Sequence, residues 1–117
     1  MMREVLLELN QEVGVKGSMV VTHDGVVVTS EIAPPLNGDQ VAAIASNSIK
    51  DINSALRQIG ASEFAKFIFN STYGKMVFLE TGSAYLVVVL DKHLNLDFTM
   101  LAIASAGRRI RSIGRIA

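Results

Sequence analysis

The stretch GDQVAAIASNSIKDINSALRQIG, residues Gly38 to Gly60, decides the fold. It contains no proline, Asn37 or Asp39 can cap its start, and Gly60 can end it. The spacing therefore predicts one long helix. Val41, Ile44, Ala45, Ile49, Ile52, Ala55, Leu56 and Ile59 fall on one arc of roughly 160°, wider than the ~100° stripe that covers one side of a core. The opposite side is small and sparsely charged: Ala43, Ser46, Asn47 and Ser54, with Lys50, Asp51 and Arg57 as its charges. A solvated helix back usually carries more Glu and Lys, whereas small side chains let a second backbone come close. One reading is a core helix with a back low in charge. The sharper reading is a helix that seals its own sheet and also meets a second copy of the chain or another protein.

Outward from this helix the pattern is β. Upstream, Gly17 to His23 and Val26 to Ser30 are β-branched runs joined by Asp24-Gly25, a strong hairpin signal because both turn positions take positive φ. Pro34-Pro35 ends the second run. Downstream, Phe64 to Ser71 alternates, with Phe67 and Phe69 on one face. Turns at Tyr73-Gly74 and Gly82-Ser83 separate it from Lys75–Glu80 and from Ala84–Leu90. The last run is almost unbroken in apolar residues, as expected of a central strand covered on both faces. Two more helices bracket these elements. Met2, Val5, Leu6, Leu9 and Val13 form an apolar stripe stopped by Gly14. A last helix runs from Asp97 or Phe98 to about Ile113 and is free of charge between Asp97 and Arg108, which predicts a first half buried on several sides. The order is α-β-β-α-β-β-β-α. The fold class is α+β: a five-stranded antiparallel sheet flanked by helices on both faces, in one domain over residues 1–117.

Composition narrows the chemistry. Half of the 117 residues are hydrophobic, enough for a core without staples. The chain has no cysteine, which excludes disulfides and thiolate chemistry. Eleven basic and eleven acidic side chains cancel, so nothing draws the whole molecule to nucleic acid or an anionic membrane, and low net charge favours association. The first residues lack a signal-peptide pattern and no run reaches the ~20 apolar residues of a membrane span, so a cytoplasmic location is expected.

Catalytic constellations are weak. The chain has two histidines, His23 beside the hairpin turn and His93 in a loop; a metal site there would need carboxylate partners brought close, and surface histidines are the default. No P-loop, Gly-x-Gly-x-x-Gly or Gly-x-Ser-x-Gly occurs, so no cofactor and no catalytic residue is assigned. Gly14-Val-Lys-Gly17 matches a GXXG loop, but it joins a helix to a strand rather than two helices. Arg108, Arg109, Arg111 and Arg115 collect at the end of the last helix, where they complement its dipole. An arginine finger is the competing reading, and solvated surface the ordinary one. Tyr73, Phe67, Phe69, Phe78 and Tyr85 are not interleaved with basic residues, so they read as core and interface rather than a base-stacking platform.

Several motifs in order carry a resemblance. They are Gly14-Val15-Lys16-Gly17, Asp24-Gly25, Ala42-Ala43-Ile44-Ala45-Ser46-Asn47, Tyr73-Gly74-Lys75, Leu86-Val-Val-Val89 and Asn95-Leu96-Asp97. Together they resemble the roadblock/dynein light-chain family, which includes bacterial MglB-type GTPase regulators. The resemblance implies a profilin-like layered fold and a homodimer in which central helices pair and third strands join two sheets. It also implies a small Ras-like GTPase as partner, or a scaffold role without effect on GTP hydrolysis. Ala43, Ser46, Asn47, Lys50, Ser54 and Arg57 are then the candidate contacts on the central helix, with Phe67 and Phe69 at the strand seam. A rival reading is a PAS-like or profilin-like sensor holding a small ligand between sheet and helix.

Overall fold

A computed structural model of the chain describes residues 1–72 and 74–116, the side chains of 115 and 116 excepted. Tyr73 and the side chain of Arg115, both named above, lie outside the described residues. The elements are α1 (Met2–Leu9), β1 (Val15–Thr22), β2 (Val27–Ile32), α2 (Gly38–Gln58), β3 (Lys66–Asn70), β4 (Lys75–Glu80), β5 (Ala84–Leu90) and α3 (Leu96–Ile116). The order is the expected one.

The five strands form one antiparallel sheet in the order β2-β1-β5-β4-β3. The apolar run of β5 lies at its centre, between β1 and β4, and β2 and β3 are the edges. Alternation along β5 divides the core in two. Leu86, Val88 and Leu90 join Val5, Leu6, Leu9, Ile103, Ala106 and Ile110 beneath α1 and α3. Tyr85 and Val87 join Met19, Phe78, Ala45 and Ile49 beneath α2. Helices therefore cover both faces, as the sequence predicts.

Local chemistry explains the boundaries. Asn37 caps α2, its Oδ1 accepting from the Gln40 amide at 3.1 Å. Gly60, at φ +77°, follows the end of the helix in the left-handed conformation. Gly25, at φ +87°, closes the β1–β2 hairpin, whereas Asp24, expected to share that conformation, does not have positive φ; a Cβ on Gly25 would come within 3.3 Å of the Lys50 stem, so the turn rests directly on α2.

Three expectations are corrected. Helix α1 stops at Leu9 rather than near Val13, because Asn10 is drawn into the sheet: its Nδ2 donates to the Glu31 carbonyl and its Oδ1 accepts from buried Ser18. Val13 is consequently exposed rather than part of the stripe. In α2 the buried line is Ala45, Ile49 and Asn53, and Ile44, Ala55 and Ile59 point outward. In α3 the charge-free half is buried along one side, through Thr99, Ile103 and Ala106, rather than on several, since Phe98 and Leu101 are 79% and 70% exposed.

Candidate functional site

Asn53 is the one polar residue on the buried line of α2, and it fixes the helix to the sheet. Its Nδ2 donates to the Tyr85 hydroxyl at 3.1 Å, and its Oδ1 accepts from the Phe64 amide at 3.0 Å. The Tyr85 hydroxyl in turn donates to the Phe64 carbonyl at 2.9 Å. The Asn53 amide, the Tyr85 hydroxyl and both peptide groups of Phe64 are thereby satisfied in a closed ring. Phe64 stacks on Tyr85 with centroids 4.4 Å apart and packs edge-on against Phe67 and Phe78. Burial pushes the Tyr85 phenol above its ordinary value, against the opposing pull of the Asn53 hydrogen bond.

With α2 held this way, the predicted contacts divide. Ser46 and Lys50 lie against the β1–β2 hairpin at Gly25. Lys50, Ser54 and Arg57 line a cleft of about 350 Å³ with His23, Asp24, Asp51 and Asn53. Ala43 and Asn47 stand outward in solvent. The flank turned away from the hairpin is apolar: Ile44, 52% exposed, exposed Ala55, half-buried Val41 and Ile59, 78% exposed. Phe67 and Phe69 share the α2 face of β3, as predicted by alternation, and meet different fates. Phe67 packs on Phe64 and Phe78, whereas Phe69 is 46% exposed beside an unpaired strand edge.

The apolar arc predicts Ile44, Ala55 and Ile59 in the core, and the structure puts them on the surface. A helical wheel finds an apolar arc but carries no mark dividing what faces the sheet from what faces outward. His23 is also corrected. It is not an ordinary surface histidine, since its ring lies 4.8 Å from Tyr85 and its Nδ1 3.4 Å from a Glu63 carboxylate oxygen. Its Nε2 is buried without a hydrogen-bond partner among the described residues. The arginine cluster is partly spent within the chain: Arg109 pairs with Glu8, and Arg111 lies 3.7 Å from Glu80. Among the described residues, no three or more His, Asp or Glu side chains gather as a metal site, and no helix is long and apolar enough to cross a membrane.

A family model, the Roadblock/LC7 domain, matches residues 1–91. The chain belongs to that family. It is 33% identical over 113 residues to the uncharacterized protein MJ0714 of Methanocaldococcus jannaschii, covering 97% of this chain and 96% of that one. Among solved structures it is similar to MglB of Myxococcus xanthus, with TM-score 0.85, 18% identity and coverage of 99% and 96%. A structure described as MglB with tetrameric arrangement gives TM-score 0.79, 21% identity and coverage of 96% and 86%. The roadblock layering also matches profilin II of Acanthamoeba castellanii, with TM-score 0.61, 15% identity and coverage of 97% and 95%. At these identities the structures establish the fold: a roadblock, profilin-like sandwich of helices about one sheet.

Proposed function

We propose that this roadblock protein is a homodimeric, non-catalytic regulator or scaffold whose paired α2 helices receive a small Ras-like GTPase in the cytoplasm. One observation carries the pairing. Ile44, Ala55 and Ile59 line the outer flank of α2, on the side of the sheet where the open edge of β3 presents Phe69. A second copy docked there covers an apolar helix flank and satisfies the unpaired edge in one step. The MglB neighbours support this by sharing the fold, and one of them is described as tetrameric. The choice of partner rests on the family resemblance.

In this reading Ala43 and Asn47 form the outward platform, and Ser46, Lys50, Ser54 and Arg57 form its polar shoulder. Its mechanism is positioning. A rigid surface that binds one arrangement of the GTPase switch loops more tightly shifts their population toward it. The reading is tested by titrating the protein into a cognate small GTPase loaded with GDP or with a non-hydrolysable GTP analogue. Binding to one loaded form at least tenfold tighter is expected. Equal affinity, or none, overturns it. GTP hydrolysis measured with and without the protein then separates a regulator from a pure scaffold.

One observation favours the small-ligand reading as second. A cavity of about 530 Å³, within the ordinary size range of ligand sites, lies between Val15, the Pro34-Pro35-Leu36 loop and Val89–Lys92, among strand ends and loops rather than between sheet and helix as that reading expected. Native mass spectrometry of the purified protein tests it, and a bound small molecule would favour this reading.

A further inference from the structure

The face of the molecule opposite α2 carries a second unpartnered surface. Along α3, Asp97, Phe98, Leu101, Ser105, Arg108 and Ser112 form one outward stripe, and all are exposed. Phe98 and Leu101 are large apolar groups one turn apart, each more than two-thirds bare. Exposed Val13 lies on the same side of the molecule, between Glu12, which lines a small cleft with Ala102 and Ser105, and Gly14, which rests on Leu94. A cluster of this kind marks a contact surface more often than scattered apolar residues do.

The charges on the stripe say what covers it. Arg109 and Arg111 are tied to Glu8 and Glu80, whereas Asp97 and Arg108 have no ion-pair partner among the described residues. Asp97 and Arg108 are eleven residues apart, about three turns and ~16 Å along the axis, so they stand on the same stripe with opposite sign. Midway between them, with Ile103 buried beneath, the outer positions are Leu101, Ala102, Ala104 and Ser105, one large apolar group among small ones. A stripe that is acidic and apolar at one end, small in the middle and basic at the other is complementary to itself when run antiparallel.

We propose that α3 packs antiparallel on α3 of a second copy about a two-fold axis near residues 102 and 103. Asp97 of each copy meets Arg108 of the other, and each Leu101 seats among Ala104 and Ser105 across the axis. Phe98 and Val13 extend the contact at both ends. The helix dipoles also run antiparallel in this arrangement. This contact is separate from the α2 and β3 surface proposed above and lies on the other face of the sheet. With both in use, each chain has two isologous contacts, which build either a closed tetramer or an open row of dimers.

Sedimentation of the full chain over a range of concentrations tests this. Wild type is expected to exceed the mass of a dimer, and Leu101→Glu to stop at the dimer. Ile44→Glu, which disrupts the α2 flank, is expected to leave a dimer held by α3 alone, and Ile44→Glu combined with Leu101→Glu a monomer. Should Ile44→Glu give a monomer while Leu101→Glu leaves the wild-type mass unchanged, the α3 proposal is overturned and the α2 reading stands. The reverse pattern overturns the α2 reading and leaves α3. Phe98→Ser reads the same surface without adding charge, and thermal melting verifies that each variant is folded. The register has its own test. Asp97→Arg is expected to weaken association at low salt about tenfold, from two like-charge contacts in place of two ion pairs. Asp97→Arg combined with Arg108→Asp is expected to restore it. A double variant as weak as the single one overturns the antiparallel arrangement.

Discussion

Tyr85 shows how a single side chain ties chemistry to stability. Its hydroxyl is fully buried, accepts from Asn53 and donates to the Phe64 carbonyl. Tyr85→Phe keeps the ring stack but strands both of those partners. It is expected to cost about 1–3 kcal/mol in urea denaturation at neutral pH. The alkaline behaviour follows from the raised pKa. In the unfolded chain the phenol ionises near its ordinary value of 10.0, while burial keeps it protonated to higher pH in the folded state. Wild-type stability therefore falls as pH rises past that value, until the folded state ionises too. Tyr85→Phe removes its share of that decline, and denaturation curves across the alkaline range measure it. The sequence did not reveal this ring. Asn53 lies toward the polar edge of the wheel, and only its distance to Tyr85 and Phe64 shows that the buried line turns through it.

At the scale of elements, strand β3 gives a clean contrast. Phe67 and Phe69 share a face, but among the described residues only Phe67 is packed on other aromatics. Phe67→Ala is expected to destabilise the fold by about 2–3 kcal/mol, from lost burial and a partial cavity. Phe69→Lys is expected to leave the melting temperature nearly unchanged and to lower the affinity between copies, read by sedimentation. Much of the architecture was legible because turn chemistry and period agree. Asp24-Gly25 marks the hairpin, and β4 and β5 fall at Lys75–Glu80 and Ala84–Leu90 as read. What was not legible shares one cause. Ile44, Ala55 and Ile59 on α2, and Phe98 and Leu101 on α3, are apolar residues that the isolated chain leaves bare. Hydrophobicity along a sequence reports the wish to leave water and is silent on whether the same chain provides the cover. The end of α1 has another cause that local sequence does not show: Asn10 is claimed by Ser18 and Glu31, partners distant along the chain.

The molecule as a whole is two cores back to back on one sheet. β5 feeds both, with Leu86, Val88 and Leu90 on one side and Tyr85 and Val87 on the other. Neither helix layer can leave without stripping a face of the central strand, so the layers are expected to unfold together. Far-ultraviolet circular dichroism and tyrosine fluorescence should report coincident urea transitions, and two separated midpoints would show independent layers. The candidate site was legible to the extent that it coincides with the back of α2. Its division into a polar shoulder by the hairpin and an apolar flank beyond it required the position of Gly25 against Lys50.

The ring of Asn53, Tyr85 and Phe64 has a consequence beyond the single chain. Phe64 lies just before β3, so the amide that Asn53 holds is also the anchor from which the edge strand departs. Any roll of α2 about its axis must drag the start of that strand along with it. Two copies meeting through both elements would thus confront a jig with its jaws already set, and slackening one screw at residue 53 would blunt their grip without altering an atom between them.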